Sequence, residues 1–367
     1  MQVVVIGAGV MGCGVAWRLA QAGARVLVLE RAIPGAEASS AAAGILGAQA
    51  ENEAPGPLLD LCLASRQRWP DFAAELHALT GIDVHLEQHG LLELGFTPAE
   101  IQRQHERAEW MRALGLRAEI LDPEQALELQ PAVNPQILGA LHLPEDGQVE
   151  PRLLMQALRL AALRAGVEIR SGQTVKHLEM QQNQVLAILT ETERIPADAV
   201  VLAAGAWTDL VPGLDSRRTT IAPQHGQLLM LKTETRLFAQ TLAGRDANGR
   251  HGYLVPRRDG RVVVGATSEA QGYAKTLTAD GRAWLLDMAR KLAPALANAE
   301  VLDHWSGLRP QSGDGLPLLG EHRAVKGLVL ASGHHRNGIL LAPVTAEVAA
   351  RAVLGERQTV EIGAFLP

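Results

Sequence analysis

Hydrophobic and polar positions in the first thirty residues change from the period of a strand to that of a helix and back. The stretch "QVVVIGAGVMGCGVAWRLAQAGARVLVLER" begins with an apolar run from Val3 to Ile6, which predicts a buried strand. Apolar positions with helical spacing then continue to Ala22. After Gly23 a second apolar run, Val26 to Leu29, predicts another strand that ends in Glu30. A strand, a helix and a strand in this order predict an α/β fold.

Two later stretches carry equally clear patterns. In "RHGYLVPRRDGRVVVGAT" two β-rich runs flank Asp259-Gly260, which predicts a hairpin. Period-two alternation places His251, Tyr253 and Val255 on one face of its first strand. In "GLVLASGHHRNGILLAP" a short buried strand, Gly327 to Ala331, leads through a polar turn into an apolar helix.

Composition narrows the function classes. The chain has 367 residues with 47% hydrophobic, a size that suits about two domains. The net charge is −6 and no run of five basic residues occurs, so we expect neither nucleic acid nor membrane as a partner. Two cysteines, a first strand that leaves no room for a signal peptide and short apolar runs favour the cytoplasm.

The glycine turn after the first strand predicts dinucleotide binding. Gly7 permits the tight turn, Gly9 lets the backbone approach a pyrophosphate, and Gly12 allows close helix packing. Glu30 lies 18 residues past Gly12, near the spacing of about 20 typical of the carboxylate that holds ribose hydroxyls. Such a carboxylate disfavours NADP, but the motif does not separate NAD from FAD.

Later segments favour FAD. The small-residue run "ASSAAAGILGAQAENE" and the buried strand in "DAVVLAAGAWT" could each bring backbone close to a cofactor, although the first could equally be an ordinary helix start. The chain has one Gly-x-Gly-x-x-Gly motif. A flavoprotein that took electrons from NADPH would usually need a second nucleotide site, so an organic substrate is the expected electron donor.

Five motifs, "GAGVMGCG", "SSAAAGILGAQAE", "HGYLVPRRDGRVVVGAT", "GLRPQSGDGLPLLG" and "GHHRNGILLAP", make the chain similar to the bacterial glycine oxidases of the D-amino acid oxidase superfamily, from about residue 2 to 354. The resemblance implies an FAD-binding Rossmann-like domain with a discontinuous α+β substrate domain built on an antiparallel sheet. The expected ranges are 1–85, 145–210 and 304–367 for FAD binding, and 86–144 and 211–303 for the substrate domain.

The resemblance also implies a cofactor site and helps to select candidate catalytic residues. The implied FAD-binding residues are Gly7, Gly9, Val10, Met11, Gly12, Glu30, Arg31, Ala38, Ser39, Ala43, Gly44, Ile45, Val175 and the turn His334, His335, Arg336, Asn337, Gly338, Ile339 and Leu340. In that turn a helix N-terminus would stabilise negative charge on the reduced flavin.

Four residues are candidates for substrate chemistry. Arg309 is the best carboxylate anchor, because a guanidinium can hold a carboxylate through two parallel hydrogen bonds; otherwise it is a surface arginine before a proline turn. Tyr253, and with it His251, would share the substrate cavity. Arg336 either faces the substrate or ties the C-terminal turn to the sheet.

Two positions depart from the family pattern. His335 stands where phenylalanine or tyrosine is common, and Ser268 where some members carry methionine. Both would make the pocket more polar if they line it, so the preferred amino acid stays open. We expect no metal site, since adjacent histidines cannot easily face one ion.

The expected activity is FAD-dependent oxidation by O2 of glycine, sarcosine and small D-amino acids, giving a 2-oxo acid such as glyoxylate, ammonia and hydrogen peroxide. The resemblance also implies a role in thiamine thiazole biosynthesis and a homotetramer. Two alternatives remain: a D-amino acid dehydrogenase that passes electrons to a quinone, and a flavin-binding subunit without turnover.

Overall fold

The structure is a computed structural model and describes residues 1–212 and 220–367. The range 213–219, part of the expected substrate domain, lies outside the described residues. The eight α-helices of the described part are α1 Val10–Gln21, α2 Ala38–Ala41, α3 Pro57–Thr80, α4 Pro98–Ala113, α5 Pro123–Leu129, α6 Pro151–Arg164, α7 Ala279–Leu292 and α8 Ala342–Leu354. The strands are β1 Gln2–Ile6, β2 Arg25–Glu30, β3 Ile45–Leu46, β4 Leu91–Gly95, β5 Glu119–Leu121, β6 Gly139–Leu143, β7 Gly147–Gln148, β8 Glu168–Ser171, β9 His177–Gln181, β10 Gln184–Leu189, β11 Arg194–Pro196, β12 Ala199–Leu202, β13 Ile221–Lys232, β14 Thr241–Arg245, β15 His251–Pro256, β16 Arg261–Gly265, β17 Glu300–Ser312, β18 Leu318–Glu321 and β19 Leu328–Ser332.

A six-stranded sheet, in the order β18-β19-β12-β1-β2-β8, forms the base of the cofactor region. Its strands are parallel except β18, which pairs antiparallel with β19. The central strands are apolar on both faces because each face is covered. Val3 and Val5 pack with α1, α6 and α8, while Val4 and Ile6 pack with the small sheet β11-β10-β9.

An eight-stranded sheet, in the order β17-β13-β16-β15-β14-β4-β6-β5, covers the other side of the cavity. Only β14 and β4 pair in parallel within it. One face packs against α7 through Leu285, Met288 and Leu292. The opposite face carries Tyr253 and packs with Ala43.

The sequence predicted the local elements around the site. The prediction of β1, α1 and β2 is confirmed, as are the hairpin of β15 and β16 and the buried strand β19. The α/β fold class is also confirmed. The predicted domain ranges stay a prediction; their boundary at 303/304 falls inside β17, which pairs with β13 along its length in the eight-stranded sheet. None of the helices within 1–212 and 220–367 has the length and apolar character needed to span a bilayer.

Candidate active site

The turn between β1 and α1 requires glycine at two positions. Gly7 has φ +101°, a conformation that L side chains rarely adopt, and a Cβ there would lie 2.5 Å from the Ala203 carbonyl oxygen. At Gly12 a Cβ would lie 1.8 Å from the Gly7 carbonyl oxygen, so α1 packs directly on the turn. A Cβ at Gly9 would contact only Ser39 Oγ, at 3.1 Å. Gly9 thus leaves free space on the cavity side.

Glu30, at the end of β2, holds this turn in place. Its Oε2 accepts a hydrogen bond from the Ala8 N–H and its Oε1 accepts one from the Ala32 N–H, each at 2.9 Å. Ser39 Oγ accepts a hydrogen bond from the Val10 N–H at 2.9 Å. A carboxylate and backbone N–H groups therefore meet at the start of α1, as a ribose and a pyrophosphate need.

A single cavity of about 340 Å³ runs between the two large sheets. Its lining extends from Glu30 and Val175, through the turn at the start of α1, to Tyr253 and Arg309. Most of the predicted cofactor residues line it: Gly7, Gly9, Val10, Met11, Glu30, Arg31, Ala38, Ser39, Ala43, Gly44, Ile45, Val175, His334, His335, Arg336, Gly338 and Ile339.

Four predicted residues do not line the cavity: Gly12, His251, Asn337 and Leu340. Gly12 packs behind the turn, and Leu340 is buried with its carbonyl oxygen accepting hydrogen bonds from Ser65 and Trp69. His251 shares a strand face with Tyr253, at 6.4 Å between ring centroids, but lies behind Arg336.

The turn between β19 and α8 brings two neutral histidines to the cavity. Burial lowers the pKa of His334 to about 3, and its Nε2 lies 2.9 Å from Thr345 Oγ1. Burial, together with the positive charges of Arg309 and Arg336, lowers the pKa of His335 to about 4. His335 lines the cavity and has φ +45°. Both rings are therefore uncharged near neutral pH.

Arg336 is already neutralised by a carboxylate. Its Nε donates to Glu51 Oε2 at 2.6 Å and its Nη2 to Glu51 Oε1 at 3.3 Å. Burial alone would raise the pKa of Glu51, but Arg336 outweighs it and brings that pKa to about 2. Burial and Arg336 also lower the pKa of His251 to about 4. The pair fixes the C-terminal turn to the segment that follows β3.

Arg309 has a different environment. Its side chain lines the cavity, and its Nη1 donates to the Thr267 carbonyl oxygen at 3.3 Å. It has no ion pair with any carboxylate in the described part of the chain. Tyr253 lines the same end of the cavity and is 7% exposed. A positive charge without a partner and a phenol thus face one space.

Ser268 lies outside this space, contrary to the suggestion that it might line the pocket. It is exposed, and its Oγ accepts a hydrogen bond from Gln224 Nε2 at 3.0 Å. Of the two departures from the family pattern, only His335 changes the cavity lining.

Sequence reasoning missed several cavity residues. Glu51, Trp207 and Gly226 all line the cavity. The Arg31 guanidinium stacks on the Trp207 ring, with 3.6 Å between Arg31 Cζ and the ring centroid. Trp207 and Glu51 fall within the quoted stretches "DAVVLAAGAWT" and "ASSAAAGILGAQAENE", although neither was assigned a role, and nothing local marked Gly226. Within 1–212 and 220–367 no three His, Cys, Asp or Glu side chains are grouped so that they could hold a metal ion.

Comparison with known proteins agrees with this geometry. The FAD dependent oxidoreductase family (DAO) matches residues 2–352. The chain belongs to this family. FAD is accordingly its cofactor, and the prediction of an FAD-dependent amino acid oxidase is confirmed.

Two relatives and one solved structure cover nearly the whole chain. A glycine oxidase of Geobacillus kaustophilus is 36% identical over 99% of this chain and 95% of its own length. The bifunctional protein ThiO/ThiG of Synechocystis is 38% identical over the full chain, which spans only 53% of that protein. The crystal structure of the Geobacillus kaustophilus glycine oxidase superposes with a TM-score of 0.93, at 34% identity, over 99% of this chain and 97% of that one.

The residues present fit FAD. The turn at Gly7 and the N-terminus of α1 can take the pyrophosphate, and Glu30 can hold ribose hydroxyls. Gly44 also lies at a close approach: its φ is +87°, and a Cβ there would lie 2.1 Å from the Val149 carbonyl oxygen. At the far end of the cavity, Tyr253, Arg309 and the turn before α8 remain for substrate and the flavin ring.

Proposed function

We propose that this protein oxidises glycine and other small primary or secondary amino acids with O2. The overall reaction for glycine consumes water and O2 and yields glyoxylate, ammonia and hydrogen peroxide. FAD supplies the electron acceptor of the reaction when it is bound in the cavity. The protein's own residues bind and orient the amino acid and exclude water.

The unpaired guanidinium of Arg309 is the observation that carries the proposal. Arg309 is half-buried, and a cation partly removed from water without a carboxylate partner favours a ligand that supplies negative charge. Arg309 can bind the substrate carboxylate through two parallel hydrogen bonds, since a guanidinium matches the geometry of a carboxylate. Arg336 is less suited to this role because Glu51 already occupies two of its N–H groups.

Tyr253 and His335 support the same binding mode. Tyr253 lines the cavity, and its hydroxyl can donate a second hydrogen bond to the carboxylate. His335 stays neutral at the working pH and adds a hydrogen-bonding group without a further positive charge. Holding the carboxylate at two points fixes the Cα–H bond in one orientation, which lowers the entropic part of the barrier.

Likeness to relatives supports both the substrate class and a metabolic role. The Geobacillus kaustophilus relative is a glycine oxidase, and the Synechocystis relative is named ThiO/ThiG. We propose by this likeness that the imine product or glyoxylate serves thiamine thiazole biosynthesis.

Anaerobic titration of the purified protein tests the activity. Glycine, sarcosine, D-alanine and D-proline should each bleach the flavin absorbance, and air should restore the absorbance quickly with formation of hydrogen peroxide. Slow reoxidation by air but fast reoxidation by a quinone would favour the dehydrogenase alternative. A yellow protein that none of these amino acids bleaches would favour a subunit without turnover.

We further propose that the protein is a cytoplasmic homotetramer. The two cysteines, Cys13 and Cys62, are buried and unpaired, as is common in a reducing compartment. The tetramer is carried over from the family resemblance alone. Light scattering after size exclusion should give four times the chain mass of 39.2 kDa, and cell fractionation tests the compartment.

A further inference from the structure

Two glycines of the eight-stranded sheet lie directly beneath the two side chains proposed to bind the substrate carboxylate. Gly265 is paired with Tyr253 across β16 and β15. A Cβ on Gly265 would lie 2.3 Å from Cε2, 2.4 Å from Cζ and 2.5 Å from the hydroxyl oxygen of Tyr253. The phenol ring therefore lies flat across the backbone of Gly265, in space that any side chain would fill.

Gly226 has the same relation to Arg309. It lies on β13, two residues from Gln224, which is the direct partner of Arg309 on β17, and it lines the cavity. A Cβ on Gly226 would lie 2.2 Å from Nη1 and 2.7 Å from Nη2 of Arg309. It would also lie 2.7 Å from the Thr267 carbonyl oxygen, the acceptor of the Arg309 Nη1 hydrogen bond. The added Cβ would thus lie too close to both the guanidinium and its acceptor.

The turn that carries Thr267 is itself held rigidly. Thr267 Oγ1 donates to Glu269 Oε2 at 2.9 Å, and the buried His225 ring lies 2.7 Å from the same oxygen. The backbones of His225 and Glu269 also exchange two hydrogen bonds of 3.0 Å. Because this turn cannot easily yield, a side chain at 226 would displace the guanidinium rather than the turn.

A left-handed backbone does not explain these glycines, since neither Gly226 nor Gly265 has a positive φ. The peptide bond between Gly265 and Ala266 is cis. Other glycines of the sheet face a different kind of neighbour. A Cβ at Gly252, the residue before Tyr253, would meet Met288 Cε at 2.9 Å, on the apolar face beneath α7. A methionine end is flexible and can move aside.

We propose that Gly226 and Gly265 are positioning residues, which leave the space that lets Arg309 and Tyr253 lie flat on the sheet and present their polar ends to a substrate carboxylate. This inference rests on the proposed function of amino acid oxidation. Under this proposal, two glycines determine how the carboxylate is bound, although neither needs to contact the substrate.

The test is a pair of double-mutant cycles with purified holoenzyme. Gly265→Ala is combined with Tyr253→Ala, and Gly226→Ala with Arg309→Ala, with Gly252→Ala as the matched control in the same sheet. The measurements are kcat and KM for glycine, the dissociation constant of acetate from its perturbation of the flavin spectrum, flavin content and Tm. Acetate reports carboxylate binding without any turnover.

Each single substitution at 226 or 265 should lower kcat/KM on the order of 10²-fold, the effect of a misplacement of about 1 Å. Acetate binding should weaken as well, with flavin content unchanged. In the Arg309→Ala or Tyr253→Ala background, the same glycine substitution should lower kcat/KM by less than about a further threefold, because the side chain that it displaces is absent. Gly252→Ala should leave kcat/KM and acetate binding near the parent values.

The proposal would be overturned if a glycine substitution lowered kcat/KM equally in the parent and in the Arg309→Ala or Tyr253→Ala background. A Gly252→Ala variant as impaired as Gly265→Ala would also overturn it, because both results indicate a general effect on the sheet. If Gly265→Ala fails to fold, Gly265→Ala/Tyr253→Ala decides: recovery of the fold supports the proposal, and continued failure contradicts it. A parent that oxidises none of the amino acids refutes the proposed function. The acetate measurements then still decide whether these glycines act through Arg309 and Tyr253.

Discussion

Two positively charged arginines line the same cavity, but only one of them is paired with a carboxylate. Arg336 forms a two-bond ion pair with Glu51, whereas Arg309 donates to one carbonyl oxygen and has no carboxylate partner among the residues that the structure describes. The sequence favoured Arg309 as the carboxylate anchor but left the role of Arg336 open, because the Arg336–Glu51 pair forms only once distant segments meet. This difference supports the proposal that Arg309 binds the substrate carboxylate while Arg336 holds the C-terminal turn.

Arg309→Ala should lower kcat/KM for glycine by roughly 30- to 3000-fold. Truncating one partner of a buried charge pair costs about 2 to 5 kcal/mol, and each 1.4 kcal/mol is about one power of ten. Arg309→Lys should recover little, because an ammonium keeps the charge but cannot form the forked contact. Steady-state kinetics and the flavin spectrum measure both effects. A parent-like kcat/KM in Arg309→Ala would place the anchor elsewhere.

Arg336→Ala is the matched comparison and should act mainly on stability. It leaves the half-buried Glu51 carboxylate without its partner, which costs about 1 to 3 kcal/mol. Arg309→Ala leaves no such carboxylate, so its Tm should stay near that of the parent. Thermal unfolding of the two variants measures the difference. Equal Tm values for the two variants would contradict the assignment of Arg336 to structural support.

At the scale of elements, the sequence predicted those parts whose pattern is local. The turn of β1 and α1 was readable because its glycines, its strand and its helix are neighbours in the chain. The position of β17 was not, because its burial alternates irregularly and its place depends on pairing with β13, far away in sequence. The Glu51–Arg336 pair, 285 residues apart, was hidden for the same reason.

Gly9→Val should abolish FAD retention without unfolding the protein. A Cβ at Gly9 meets only Ser39 Oγ, so the added side chain enters the cavity at the start of α1, where a pyrophosphate would bind. Gly12→Val is the control, since its Cβ would lie 1.8 Å from the Gly7 carbonyl oxygen and should destabilise the fold itself. Flavin content and circular dichroism separate the two outcomes. A normally yellow Gly9→Val protein would remove the pyrophosphate assignment.

At the scale of the whole molecule, folding buries histidines that are widely separated in sequence. His251 comes from the eight-stranded sheet, whereas His334 and His335 follow the six-stranded sheet. Burial lowers their pKa values from an ordinary 6.5 to about 4, 3 and 4, with Arg336 adding to the effect on His251 and His335. These shifts come from burial and from charges on distant segments, so the local sequence pattern did not reveal them.

Stability should therefore fall as pH is lowered from about 6.5 toward 4. In this window the unfolded chain binds protons that the folded protein excludes, so acidification favours unfolding, while above pH 7 the stabilisation is complete. Glu51, with its pKa lowered to about 2, adds a further loss below about pH 4.5. His335 faces Arg309, Arg336 and Glu51, whose net positive charge opposes its protonation.

His335→Phe should weaken this pH dependence, since it removes one of the excluded protons. We expect its fall in Tm between pH 7 and pH 5 to be smaller than that of the parent by roughly 1 to 2 °C, the shift that about 1 kcal/mol gives in a chain of 367 residues. His105→Gln, on the exposed side of α4, is the control and should follow the parent curve. Calorimetric scans of the three holoproteins at several pH values measure the effect. If the curves of the parent and His335→Phe run parallel, His335 is not held neutral by the closed cavity.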